Sequence, residues 1–335
     1  MDEEWKTKGT IMKAIRISSH GDANVLVLSE NVPMPEPGPE QVLLKIHAAG
    51  LNFVDIYQRR GEYKVAVPFT PGLEGAGVIE KVGEKVTEFR RGGRVAYNGQ
   101  LGSYAEYAVV DAWRLISLPR SMSFEEGAAV PLQGMTAHYL ITEYRQLKPG
   151  DTVLIHAAAG GVGLLLVQWA KHLGANVIGT VSTEEKARIA REAGADHVVL
   201  YTKEDFVAAT KNRTDGRGAD LIIDGVGKST FSGNIEAAAI HGHIVIFGAA
   251  SGPAESIVPN ALMPKCLSLS GGTLFVFGGT RKEMLPRAKA VLAGIKAGWL
   301  KLRINHVFPL AQAAEAHRLL ESRGSTGKVV LKVVS

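Results

Sequence analysis

Hydrophobic positions fall into two rhythms along the chain. In the first third, short apolar or alternating runs recur at close spacing, at residues 11–17, 25–28, 42–47, 77–82, 94–97 and 104–110. Proline and glycine between residues 33 and 39, Gly83, and the pair Gly92-Gly93 separate them, which predicts many short strands in a coiled, barrel-like β domain. In the middle third, apolar strands at 153–156, 176–180, 197–200, 221–224, 243–247 and 267–270 alternate with helix-like stretches, among them 163–173, 183–193 and 229–240. Strands alternating with helices predict a parallel sheet covered on both faces. The tail predicts helices at 286–297 and 310–322 and a last strand at 328–333, which needs a partner that the β-rich first third supplies. The expected organisation is therefore one domain built from residues 12–135 and 271–335, a second inserted at 136–270, and a poorly ordered leader at 1–11.

The length of 335 residues suits two domains of ordinary size. Glycine, at 38 residues, is the outlier, and its clusters mark turns where backbone approaches a ligand. Lysine and arginine exceed the acids only 38 to 33 and are scattered, which argues against a nucleic-acid partner. The single cysteine, Cys266, excludes an internal disulfide and a Cys-rich zinc site, and it reads as a packed thiol in a strand. No run reaches the ~20 apolar residues of a membrane span. The acidic, weakly apolar N-terminus lacks the marks of a signal or transit peptide, so the expected location is cytoplasmic.

The segment Leu154-Ile155-His156-Ala157-Ala158-Ala159-Gly160-Gly161-Val162-Gly163 runs from an apolar strand through small residues into an apolar helix. Gly160 admits a pyrophosphate close to the backbone and Gly163 allows close helix–strand packing. The helix N-terminus then offers N–H groups and a positive dipole end to the phosphates. Ala158 stands where the usual fingerprint has its first glycine. With five further strand beats behind it, this is a six-stranded dinucleotide-binding domain.

A site for NAD places an acid at the end of the second strand. Here that end reads Ile178-Gly179-Thr180-Val181-Ser182, without one. Ser182, Lys186 and Tyr201 offer a hydroxyl, an ammonium and a phenol for a 2′-phosphate, which points to NADPH. The competing reading makes Ser182 and Glu185 a capping box and Lys186 a solvated side chain.

These segments resemble the quinone oxidoreductase, or zeta-crystallin-like, branch of the medium-chain dehydrogenases/reductases. The matching features are residues 157–163, Asn52-Phe53-Val54-Asp55-Ile56-Tyr57, Pro71-Gly72-Leu73-Glu74-Gly75-Ala76-Gly77, Gly179-Thr180-Val181 with Lys186, and Glu321-Ser322-Arg323. The resemblance implies an α/β chain: a β-rich GroES-like catalytic domain with an inserted six-stranded Rossmann cofactor domain. It implies NADPH as hydride donor, a quinone or enone as acceptor, and a homodimer formed by pairing cofactor sheets edge to edge near Cys266. By the same match, Ala159, Gly160, Gly161, Val162, Gly163, Ser182, Lys186 and Tyr201 hold the phosphates and adenosine. Val226, Gly227, Phe247 and Gly248 pass along the cofactor, and Asn52, Thr136, Phe275, Arg323 and Lys328 lie near the nicotinamide or its phosphates.

Zinc-dependent relatives carry a cysteine where this chain has Asn52 and a histidine where it has Leu73. A catalytic zinc needs about three protein ligands, so the expected metal content is none. Oxyanion stabilisation then falls to hydrogen bonds, and Tyr57, Asn52 and Tyr63, all in one segment, are the candidate catalytic residues. The alternative for both tyrosines is a packing role. For the chain as a whole, the alternatives are an NADPH-dependent enoyl or alkenal reductase, and a crystallin-like structural or RNA-binding protein.

Overall fold

The computed structural model describes residues 10–333. The leader expected at 1–11 lies outside the described residues except for its last two, and Ile11 already opens the first strand. The chain divides into two compact units: residues up to Leu132 together with those from Ile304 onward, and Gln133–Arg303.

In chain order the first stretch carries β1 (Ile11–Arg16), β2 (Val27–Pro33), β3 (Gln41–Leu51), helix α1 (Phe53–Arg60) and β4 (Glu74–Val82). Next come β5 (Arg94–Asn98), β6 (Tyr107–Asp111), β7 (Ile116–Ser117), α2 (Phe124–Gly127) and α3 (Pro131–Thr142). The middle holds β8 (Thr152–Ile155), α4 (Gly161–His172), β9 (Asn176–Val181), α5 (Glu184–Glu192), β10 (His197–Leu200) and α6 (Phe206–Asn212). It continues with β11 (Ala219–Asp224), α7 (Phe231–Ala237), β12 (Ala238–Ile246), β13 (Ser268–Gly271), α8 (Leu274–Phe277) and α9 (Arg281–Lys296). The end adds β14 (Ile304–Pro309), α10 (Ala313–Glu321) and β15 (Lys328–Lys332).

In the first unit a seven-stranded sheet has the order β14-β15-β3-β4-β5-β7, with β6 paired to β3. The C-terminal strand β15 lies antiparallel to β3, Val330 opposite Gly50, so the tail closes the β-rich unit. The ribbon of β1 and β2 joins through bridges Ala14–Ala105 and Ile17–Phe69. Those bridges confine the run expected at 104–110 to Tyr107–Asp111, because Tyr104 gives its carbonyl to Ile15 N instead.

The second unit is a six-stranded parallel sheet in the order β10-β9-β8-β11-β12-β13. Its central strands β8 and β11 are buried throughout, as strands covered on both faces must be. Leu154, Ile178, Ile222 and Ile244, from four neighbouring strands, share one core cluster. Each such side chain contributes ~1.5–3 kcal/mol on burial.

Three expectations are corrected. Residues 271–303 pack with the parallel-sheet unit, because α9 docks on α3: Arg287 pairs with Glu143 at 2.7 Å, and Val291 fills the space left by Gly134. The helix expected to reach 240 stops at Ala237, where Lys265 Nζ takes the carbonyls of Ile235, Glu236 and Ala238 and the chain turns into β12. Cys266 is exposed, with φ of 50° at the end of a 3-10 turn, so β13 begins two residues beyond it.

Candidate active site

The phosphate loop leaves β8 through His156 and Ala157, and Ala157 takes the left-handed conformation at φ 52°. That conformation costs roughly 1–2 kcal/mol outside glycine; here it aims the Ala157 carbonyl at Gly160 N, 2.9 Å away. Ala158 N donates to Thr180 O of β9 at 3.1 Å. A Cβ on Gly179 would lie 2.6 Å from the Ala158 methyl. The methyl that replaces the first fingerprint glycine is thus accommodated by a glycine on the next strand.

Gly160 is the N-cap of α4, with φ −76° and ψ 171°, and the first turn of α4 carries no acid. A Cβ on Gly163 would lie 2.3 Å from Ala157 O and 2.9 Å from Ala158 Cα, so this position admits only glycine. A Cβ on Gly160 would meet a single atom, Ala157 O at 3.2 Å. The loop is closed tightly around Gly163 and less so at Gly160, where the N-terminus of α4 begins; a helix N-terminus is suited to hold a phosphate.

At the ends of β9 and β10, Tyr201 N donates to Val181 O at 3.1 Å, which sets the half-exposed Tyr201 beside Ser182. The cap of α5 is Thr183, whose Oγ1 accepts from Lys186 N at 3.2 Å. The capping-box alternative for Ser182 and Glu185 is therefore overturned. Glu184 is matched by Lys203 at 2.9 Å, which offsets its charge.

Beyond β11, Val226 and Gly227 donate to Asp224 Oδ1 at 2.7 and 3.1 Å. Phe247 N donates to Asp224 O, and a Cβ on Gly225 would lie 2.8 Å from the Phe247 ring. The Val226–Gly227 and Phe247–Gly248 turns are thus packed side by side. Thr136 is buried on α3, whereas Phe275 is half-exposed on α8.

In the β-rich unit, Asn52 precedes α1 and is 4% exposed. Its Nδ2 donates to Glu74 Oε2 at 2.9 Å and its Oδ1 accepts from Lys328 Nζ at 2.8 Å; Lys328 also pairs with Glu74. Leu132 N donates to the other Glu74 oxygen at 2.6 Å. A Cβ on Gly50 would lie 2.4 Å from Glu74 Oε2, so glycine there makes room for the carboxylate. The Lys328 ammonium, expected near the cofactor, is 2% exposed and neutralised inside its own unit. Arg323, from the same group, is exposed in a left-handed turn.

Tyr57 and Tyr63 come together, with ring centroids 5.3 Å apart. Tyr63 is 52% exposed and Tyr57 half-buried.

A second cluster runs through the interior behind α1, and the sequence reading missed it. Asp55 Oδ2 accepts from Asn52 N at 2.8 Å, and Tyr104 Oη lies 3.3 Å from Asp55 Oδ2 and 3.2 Å from His317 Nε2. Arg59, fully buried, lies 3.2 Å from His317 Nδ1 and pairs with Glu321. Burial lifts the Asp55 carboxyl to about 7 and, with Arg59, lowers the His317 imidazole to about 3. The available signals were an Asn-x-x-Asp helix start and a histidine on the apolar face of α10. Among the described residues, no group of three His, Cys, Asp or Glu side chains is arranged to hold a metal ion.

Two family models match the chain: the alcohol dehydrogenase GroES-like domain over residues 38–120, and the zinc-binding dehydrogenase model over 161–290. The second covers the dinucleotide unit and not Asn52 or Leu73, so its name carries no zinc ligand into this chain. The pair defines the class, the medium-chain dehydrogenases/reductases. A quinone oxidoreductase of Pseudomonas aeruginosa is 41% identical, over 95% of this chain and 99% of its own length. A 2-haloacrylate reductase of a Burkholderia species is 39% identical, over 90% and 93%. The solved structure of Escherichia coli quinone oxidoreductase complexed with NADPH superposes with a TM-score of 0.92 at 35% identity, over 96% of this chain and all of that one. The chain belongs to the quinone oxidoreductase family.

Proposed function

We propose that this chain reduces quinones by hydride transfer from NADPH without a metal, the parallel-sheet unit holding the cofactor and the β-rich unit the acceptor chemistry. The carrying observation is the glycine turn at Gly160 onto the N-terminus of α4, with no acid at the end of β9, Ser182 and Lys186 after β9, and Tyr201 after β10. When bound, NADPH supplies the hydride. Ala159 to Gly163 hold its pyrophosphate on the α4 N-terminus, and Ser182, Lys186 and Tyr201 hold the 2′-phosphate. In the parallel-sheet unit, Val226, Gly227, Phe247, Gly248, Thr136 and Phe275 are assigned to the nicotinamide half of the cofactor; in the β-rich unit, Asn52 and Arg323 are the residues assigned to it. Lys328 acts through Asn52, whose amide it orients together with Glu74.

Hydride addition leaves negative charge on the acceptor oxygen. Tyr57 Oη donates a hydrogen bond to that oxygen, with Tyr63 packed against its ring. Enones leave the same developing oxyanion, and the similarity to a 2-haloacrylate reductase supports conjugated carboxylates or enones as a second acceptor class. Among the described residues no helix is long and apolar enough to cross a membrane. We infer that the enzyme works in the cytoplasm, as a homodimer joined through β13.

Steady-state assays with NADPH and NADH against a panel of quinones and enones test the reading, with Lys186→Ala as the probe of the 2′-phosphate. Losing a charge-assisted contact costs ~1.5–3 kcal/mol, so affinity for NADPH should fall about 10- to 100-fold while NADH is unaffected. Equal use of both cofactors by the unaltered enzyme, or no quinone turnover, would sink it.

A further inference from the structure

A buried hydrogen-bond chain crosses the parallel-sheet unit beneath the cofactor loops. It links His156 at the end of β8, Thr180 in β9, Asn234 in α7 and Asp224 at the end of β11, none more than 3% exposed. Asp224 Oδ2 accepts from Thr230 Oγ1 at 2.7 Å and Asn234 Nδ2 at 2.6 Å, and its Oδ1 holds the amides of Val226 and Gly227.

A carboxylate only accepts, so Asn234 must turn its NH2 toward Asp224 and its Oδ1 toward His156. That oxygen lies 2.7 Å from His156 Nε2, which therefore carries the imidazole proton. Nδ1 is left to accept, and Thr180 Oγ1 donates to it at 2.9 Å. One carboxylate thus sets the direction of every hydrogen from β11 to β9. Burial holds the His156 pKa below its ordinary value, which keeps the ring neutral, and the Phe206 ring stands edge-on against it at 4.9 Å.

The two ends of this chain are the two halves of the cofactor site. Thr180 lies two residues before Ser182, and Asp224 carries the Val226–Gly227 turn. Resting on the NADPH reading above, we propose that His156 is a positioning residue that fixes the separation of the 2′-phosphate loop from the nicotinamide-side turn. A dinucleotide that engages two loops gains affinity over either fragment only where both are spaced to be filled at once. The imidazole, held in one tautomer at both nitrogens, sets that spacing.

The test compares binding of NADPH with binding of adenosine 2′,5′-bisphosphate, which fills only the adenosine end, by calorimetry on the full chain. His156→Leu should weaken NADPH about tenfold or more, because the two loops are then no longer held at the spacing that lets one dinucleotide fill both. The bisphosphate should change by less than about threefold. His156→Gln should restore NADPH binding, because a carboxamide offers one acceptor and one donor at similar spacing. Adding Thr180→Val to His156→Leu should cost nothing further, since the chain is already cut. If the leucine variant does not fold, Thr180→Val alone carries the same comparison. Parallel loss of both ligands, or unchanged NADPH binding, would overturn the positioning role while leaving the cofactor reading intact. An unaltered protein that binds neither ligand would overturn both.

Discussion

Gly160 and Gly163 sit in one loop and answer to different constraints. At Gly163 the missing Cβ is demanded by the protein itself, because Ala157 O and Ala158 Cα occupy its place. At Gly160 the fit is looser, since a Cβ would meet one carbonyl, Ala157 O, at 3.2 Å. Gly163→Ala should therefore lower thermal stability as well as cofactor binding, by the ~1–3 kcal/mol typical of an overpacked site. Gly160→Ala should leave the melting temperature nearly unchanged and still weaken NADPH, since its methyl would project toward the pyrophosphate. Melting curves and NADPH titrations on the two variants check this; a Gly160→Ala protein that binds NADPH normally would remove the phosphate from that position. Both glycines were legible in the sequence, because the loop is local and each spacing serves one strand–helix turn. Lys186 and Tyr201 were equally legible as candidates, whereas the capping role of Thr183 needed the actual φ and ψ of the helix start.

Helices α1 and α10 share the buried cluster of Asp55, Arg59, Tyr104, His317 and Glu321, and two of its groups respond to pH with opposite sign. His317 is lowered to about 3 from 6.5. Between those values the unfolded chain binds a proton that the native state refuses, so this group's contribution is full above 6.5 and lost as pH falls. Asp55 is raised to about 7 from 3.8. Its contribution is full below 3.8 and lost as pH rises through 7, so the two oppose each other across mildly acidic pH. Replacing His317 by Gln keeps an acceptor for Arg59 and a donor for Tyr104 and removes one of the two titrations. Relative to the unaltered protein, the variant should gain stability as pH falls from 6.5 toward 4, by up to about 1.4 kcal/mol per pH unit. Denaturant melts across that range decide it, and a difference independent of pH would mean that His317 does not titrate as its burial requires. The helix pair itself escaped the sequence reading in part. The amphipathic pattern of α10 was visible, but α1 is only eight residues long and carries buried Asp55, Gln58 and Arg59 where apolar residues mark most helices.

At the scale of the whole molecule, β13 ends the six-stranded order with one side bonded to β12, and an edge strand is where a sheet can be extended by another chain. The proposed homodimer would extend the sheet there with the same strand of a second copy. Sedimentation should give twice 35.8 kDa, and the amides of Ser268–Gly271 should exchange more slowly as concentration rises into the dimer range. A monomer at all concentrations would rule the pairing out. The six strand beats, the phosphate turn, the missing acid after β9 and the return of the tail as a strand beside the β-rich first third were all determined by the sequence alone. Each is written in periodicity or in residues adjacent along the chain, where strand and helix geometry repeat every two or 3.6 positions. Only the tertiary structure decided that Lys328 neutralises Glu74 across 254 residues, that α9 joins the parallel-sheet unit, and that His156 bridges Thr180 to Asn234. Those pairings join side chains that no local period brings together. A buried polar group must find its partner wherever the closed fold leaves one.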